Sequence, residues 1–305
     1  MRWIIDTDAG VDDAIAIGMA CAHARGAAHT LLALTTVAGN VSLEKVNVNV
    51  GAVLDVFESD VPFFSGCATP LVAPPQRAED FHGADGLGDA GLSHTARRPQ
   101  PEHAALALAR LAEQYAGEVG IITIGPLTNL ALACHLSPCL PQHVRRLVVM
   151  GGAWQGFGNQ TPAAEFNIAA DPEAARIVFE HFDHIVLLPW ETSLEQMMPF
   201  ETLQHIAAQA TPRARFFAAM TRVADTWRER LGWQGVPLPD PLAVAVALNP
   251  ELIAASFFAR VLVDLSGDVA RGFTAMDRRT AHPNAQVVTL VHAPPAWQMI
   301  RDAWR

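Results

Sequence analysis

The chain has 305 residues, 50% of them hydrophobic, and a formal net charge of −10. That is enough apolar material for one compact unit, expected over 1–305, and the acidic balance excludes a nucleic-acid partner, which would call for a basic surface. No apolar run reaches the roughly 18 residues of a spanning helix and no basic leader precedes the first strand, so no membrane partner and a cytoplasmic location are expected.

Trp3-Ile4-Ile5 opens the chain as a short interior strand, and the spacing of Ala14, Ile17 and Cys21 predicts a helix directly after it. The intervening turn, in MRWIIDTDAGVDDAIAI, carries Asp6, Asp8, Asp12 and Asp13. Clustered carboxylates repel one another, and burial without compensation costs several kcal/mol or forces them to hold protons. Helix capping accounts for one or two of them. A hard cation, which prefers carboxylate, carbonyl and water oxygens, accounts for the set.

LLALTTV (31–37) is the next strand and ends at Ala38-Gly39-Asn40, followed by a helix in which Val46, Val50, Val53, Leu54 and Phe57 recur with helical spacing. Residues 69–103 are rich in Pro and Gly and include His82 in DFHGADGLG. Such long excursions are usually functional or mobile. A helix over 102–115, the strand VGIITI (119–124) and the strand RRLVVM (145–150) come next. A second Gly-rich excursion then carries Asn159 and closes on Glu165 and Asn167. Pro172 starts another helix, and HIVLL (184–188) is a further strand.

Continuous apolar strands alternating with helices predict an α/β fold, a Rossmann-like, mostly parallel central sheet flanked by helices. Ligands of such sheets bind beyond the carboxyl ends of the strands, where the unusual residues of this chain fall. Farther on, 197–230 reads as helical, and PLPDPLA sets Asp240 before an apolar helix, as a helix cap or as a second-segment partner for a cation. Residues 259–266 and 285–291 read as late strands of antiparallel character. Cys21, Cys67, Cys134 and Cys139 form no CxxC pair and are expected to be buried free thiols. Neither GxGxxG nor GxxxxGK[ST] is present, which disfavours a phosphate cradle. Trp154, Phe157, Phe166, Trp227 and Trp233 serve either packing or stacking on a planar ligand.

In order along the chain stand DTDAGVDDAIAI, TTVAGN, FHGADGLG, IGPLTNLALA, VVMGG, AEFNIAADPEAA, DPLAVA and RGFTAMD. This series resembles the inosine-uridine-preferring nucleoside hydrolase family. The resemblance implies Ca²⁺-dependent cleavage of the N-glycosidic bond of a small-molecule ribonucleoside, by a homodimer or homotetramer. It implies that Asp8, Asp13, the backbone carbonyl of Ile124 and Asp240 ligate the metal. It further implies that Asp8 takes a proton from the attacking water and that Asp12, Asn40, Asn159, Glu165 and Asn167 bind the ribose, with Asp6 supporting the cluster from behind.

Two departures from the family pattern stand out. Where relatives often have a histidine before the metal-binding aspartate, this chain has Pro239, which cannot donate a proton; protonation of the departing base by His82, assistance by aromatic stacking and shielding of the base, and a weak or shifted activity are the alternatives. PWETSL (189–194) replaces a Val-Thr-His segment. A non-catalytic nucleoside- or sugar-binding protein and a Mg²⁺-dependent phosphatase using the Asp6-Thr7-Asp8 stretch are the alternatives, the latter lacking a phosphate-clamping lysine because Lys45 is the chain's only one.

Overall fold

The computed structural model describes residues 1–25 and 28–305. Its strands are β1 (Arg2–Thr7), β2 (Thr30–Thr36), β3 (Phe63–Ser65), β4 (Val119–Thr123), β5 (Val144–Met150), β6 (Ile185–Leu188), β7 (Met198–Pro199), β8 (Gly235–Val236), β9 (Ile253–Val263), β10 (Thr274–Asp277) and β11 (Ala285–Val291). Nine of them form one sheet in the order β10-β9-β11-β6-β5-β4-β1-β2-β3, while β7 and β8 pair separately. From β3 to β11 every pairing is parallel; β9 runs antiparallel to β11, and β10 antiparallel to β9. The expected mostly parallel α/β sheet is therefore present.

The reason lies in the strand composition. Ile4, Ile5, Ile121, Ile122, Val148 and Leu187 are fully buried, as strands covered on both faces must be. The helix Val11–His23 is buried along Val11–Cys21 and packs beneath the helices Pro239–Leu248 and Ala293–Trp304. Trp304 closes that layer with an edge-on contact to Phe57 and an indole N–H donated to the Ile15 carbonyl.

Chain order reverses about β1: β2 and β3 lie on one side of it and β4 on the other. At such a point the loops leaving neighbouring strands diverge and open a crevice. Several differences from the sequence reading lie in the second half. β9 begins at Ile253, well before residue 259; β10 is additional; β11 is parallel to β6, so only β9 and β10 carry the antiparallel character. All four cysteines are free, but Cys67 is only partly buried and Cys139 is exposed, because the turn that carries Cys139 lies on the surface. Among the described residues no helix is long and apolar enough to cross a membrane.

Candidate active site

A cavity of about 460 Å³ opens over the carboxyl ends of the parallel strands, and its lining divides by chemistry. Asp12, Asn40, His82, Ile124, Glu165, Asn167 and Asp240 give it a polar floor; Phe81, Trp190, Leu194, Leu231 and Trp233 give it an apolar wall.

The floor begins where β1 runs into the turn before Val11–His23. Ala9 has φ of 43°, a left-handed conformation that costs a non-glycine residue about 1 kcal/mol or more and is tolerated where the surroundings enforce it. Asp13 is fully buried and accepts from Thr7 Oγ1 at 2.6 Å, from the Gly10 N–H at 2.9 Å and from Asn40 Nδ2 at 3.1 Å. The Asn40 N–H donates to Asp8 Oδ2 at 2.7 Å. Gly39 makes that approach possible, since a Cβ there would stand 2.0 Å from Asp8 Oδ2.

Behind them Asp6 Oδ1 accepts from Thr35 Oγ1 at 2.5 Å and Asn129 Nδ2 at 2.8 Å. Carboxylate oxygens of Asp12, Asp13 and Asp240 lie within 4.8 Å of one another, and Asp8 Oδ1 is buried without a hydrogen-bond partner. Burial and mutual repulsion push the carboxyls of Asp8 and Asp240 well above the usual range, and that of Asp12 up to about 7. Four buried acids with an orphaned oxygen offer only hard oxygen donors, the set that suits a divalent cation. The cluster could hold a metal ion.

The second Gly-rich excursion supplies the rest of the floor. Glu165 Oε2 accepts from the N–H groups of Gly152 and Ile168, and Oε1 from that of Asn167. Burial nonetheless pushes Glu165 up to about 7. Asn167 Nδ2 donates to the carbonyls of Ile124 and Met150, both at 3.3 Å, and Asn159 Oδ1 accepts the Phe166 N–H at 2.8 Å. The Val11 N–H donates to His82 Nδ1 at 3.1 Å, which leaves the ring proton on Nε2, and burial lowers His82 to about 3.

Of the ten predicted site residues, Asp12, Asn40, His82, Ile124, Asn159, Glu165, Asn167 and Asp240 line one cavity; Asp8 and Asp13 do not line it but tie to Asn40, and the carboxylate trio is Asp12, Asp13 and Asp240, without Asp8. The aromatic residues sort differently. Phe166 and Trp233 line the cavity, whereas Trp154 packs on Phe257, Trp227 stacks on Phe81 at 4.2 Å, and Phe157 is exposed. Phe81 and Trp190 line the wall without having been singled out. Trp190 opens the helix Trp190–Glu195 one residue beyond β6, so the carboxyl-end position that marked the aspartates also marks it. Lys45, the chain's one lysine, donates at the surface to Glu79 and to the Ala84 carbonyl.

The family model described as inosine-uridine preferring nucleoside hydrolase matches residues 3–298. The chain belongs to that family. This nucleoside hydrolase is 33% identical over 277 residues to the pyrimidine-specific ribonucleoside hydrolase RihB of Escherichia coli (strain K12), covering 90% of this chain and 87% of that one. Among solved structures it is similar to an inosine-guanosine nucleoside hydrolase, with a TM-score of 0.91, 31% identity and coverage of 99% of this chain and 98% of that chain. It is also similar to the purine-preferring ribonucleoside hydrolase from Gardnerella vaginalis, with a TM-score of 0.92, 26% identity and the same coverage. The hydrolase is a ribonucleoside N-ribohydrolase, an enzyme and not a binding protein alone.

Proposed function

We propose that the hydrolase cleaves ribonucleosides with Ca²⁺ held by Asp8, Asp13, Asp240 and the Ile124 carbonyl, and that it expels the base without a protein acid. The observation that carries the second half is the division of the cavity: every titratable lining residue, namely Asp12, His82, Glu165 and Asp240, belongs to the floor, and Pro239 stands beside Asp240. Bound in the cluster, Ca²⁺ would engage the ribose diol and make a water more acidic.

In this reading Asp8 Oδ1, which has no other partner, takes the proton of the attacking water. Asp12, Asn40 and Asn167 meet the ribose hydroxyls, joined by Asn159, whose Oδ1 is committed to Phe166 and whose amide N–H groups are left to donate. Glu165 holds the turn beneath Asn167 through its three backbone acceptor bonds and faces the sugar from there. The floor carboxylates also stabilise positive charge developing at the anomeric carbon as the bond to the base breaks.

His82 takes a different part from the acid role that its position suggests. With Nδ1 accepting the Val11 N–H, the neutral ring offers Nε2–H as a hydrogen-bond donor to the sugar and has no dissociable imidazolium proton to give to the base. Phe81, Trp190 and Trp233 supply flat surface for stacking on the base; ring centroids are 6.2 Å apart for Phe81 and Trp233 and 6.4 Å for Trp190 and Trp233.

The test is to remove divalent cations by chelation and dialysis, then restore Ca²⁺, Mg²⁺ or neither, while ribose and free base are measured chromatographically on purine and pyrimidine ribonucleosides. Activity should vanish on depletion and return with Ca²⁺. Undiminished hydrolysis by verified metal-free protein would overturn the metal assignment.

A further inference from the structure

Gly151–Phe157 carries the chain from β5 toward Asn159, outside any helix or strand, and the end of β6 and the short helix Trp190–Glu195 grip it. The Gly151 N–H donates to the Leu188 carbonyl at 3.1 Å, and the Trp190 N–H donates to the Gly152 carbonyl at 2.9 Å. Glu191 then takes three more backbone donors from the same segment. Its Oε2 accepts the Trp154 N–H at 3.0 Å, and its Oε1 accepts those of Gln155 at 2.8 Å and Phe157 at 3.4 Å.

Glu191 is 4% exposed and, among the described residues, makes no ion pair; these N–H groups are its partners. Successive N–H groups that converge in a turn form a concave site for an anion. Gly152, with φ of 76°, supplies left-handed curvature that a residue with a Cβ rarely adopts. Here the anion belongs to the chain itself. Thr274 Oγ1 secures Ala153 by accepting its N–H and donating to its carbonyl, both at 2.9 Å, but beyond it the N–H groups of Trp154, Gln155 and Phe157 converge on Glu191 alone.

We propose that Glu191 is a positioning residue for sugar binding: its carboxylate fixes 151–157 so that Asn159 stands ready over the floor before substrate arrives. The proposal rests on the reading of Asn159 as a ribose contact. The same helix sets Trp190 in the wall, so PWETSL, the departure from the family pattern, joins the two halves of the cavity. Because the ribose is common to all substrates, loosening this grip should affect purine and pyrimidine nucleosides alike. Ordering the loop would then be charged to substrate binding and appear in KM.

Glu191→Gln keeps the size but replaces one acceptor oxygen with an NH₂ group that faces backbone donors. The readouts are kcat and KM for inosine and uridine, and amide hydrogen exchange of 153–158 by mass spectrometry. Expected are a KM rise of about tenfold on both substrates with kcat changed less than about threefold, and faster exchange in 153–158 with the helix Val11–His23 unaffected. Glu191→Asp, which keeps the charge but withdraws the oxygens, should act in the same direction and stands in should the Gln variant fold poorly. Combined with Asn159→Ala, the Gln substitution should raise KM no further, since it acts through that residue. Unchanged loop exchange, or additive effects in the double variant, would overturn the Glu191 link while leaving the sugar contact intact. An Asn159→Ala variant with unchanged KM would instead remove the contact on which the link rests.

Discussion

The floor and the wall of the cavity are built by opposite means. Floor residues come mainly from the ends of β1, β2, β4 and β5 and tie to one another: Asp13 alone is held by Thr7, Gly10 and Asn40. Wall residues come from the connection holding Phe81, from the helix Trp190–Glu195 and from the helix Val223–Leu231 and its exit, and the rings of Phe81, Trp190 and Trp233 meet at edge-on and tilted angles. Hydrogen bonds with fixed directions suit a constant sugar, whereas aromatic surfaces tolerate bases of different outline. Solved relatives that are a purine-preferring and an inosine-guanosine hydrolase share the fold, and a pyrimidine-specific hydrolase is similar in sequence, consistent with a constant floor and an adjustable wall.

Damage to the sugar side should be felt most. A site arranged around hydroxyl groups can reject an analogue lacking one by roughly 10,000-fold, so 2′-deoxyinosine should fall behind inosine in kcat/KM by up to that factor. Comparable rates would erase the contrast between floor and wall. Next comes Asp8→Asn, which keeps an oxygen ligand and removes the proton acceptor; turnover should drop on the order of 100- to 10,000-fold with bound metal unchanged by elemental analysis. Wild-type turnover there would assign the base elsewhere.

The wall's lack of an acid predicts a strong leaving-group dependence. p-Nitrophenyl riboside, whose leaving group needs little protonation, should exceed uridine in kcat/KM by about 100-fold, the low end of what an absent general acid forgoes. Equal rates across pH would reveal an acid not recognised in the wall. Trp190→Ala should cost about tenfold in kcat/KM for inosine, within the roughly 1–3 kcal/mol ascribed to a base stacked on an aromatic ring. Inhibition by free ribose should stay within about twofold, because the floor is untouched; a parallel loss would mean that Trp190 supports the floor as well.

The smallest effect concerns stability. Burial raises Glu165 from 4.5 to about 7, so between those values the native state keeps a proton that the unfolded chain releases. Stability from this group is therefore fully present below about pH 4.5, declines as pH rises and is lost above about 7, a change on the order of a few kcal/mol at most. Glu165→Gln should flatten that part of the Tm-against-pH curve in metal-saturated protein. An unaltered slope would show that Glu165 is ionised throughout.

The parts of this molecule that could be read from sequence are those where one residue's environment is set by its immediate neighbours. The first strands were legible because an interior parallel strand is a continuous apolar run, and the aspartates because four acids cannot crowd one turn without compensation. β10 is too short and too mixed to signal itself, and the small residues of Ile253-Ala254-Ala255-Ser256 hide the start of β9. Pro294 and Pro295 similarly obscure the helix Ala293–Trp304, though proline suits a first turn. In the site, residue type drew attention to Trp154 and Trp227, which pack behind the cavity, while position after β6 would have drawn it to Trp190. Glu191 left no trace of its role, since its partners are backbone groups 34 to 37 residues away and carry no side-chain signature.

Lys45 gives the molecule an unusual chemical handle. Its Nζ donates to Glu79 at 3.0 Å and to the Ala84 carbonyl at 2.6 Å, bracketing the short helix Glu79–His82. Amine-reactive dyes, crosslinkers and resin couplings find no other lysine side chain in this sequence. Acylating it converts an ammonium latch into a neutral amide and frees the segment that brings Phe81 and His82 to the cavity, so immobilisation through amines would alter the very pocket an assay is meant to report, whereas attachment through the exposed Cys139 thiol would leave it alone.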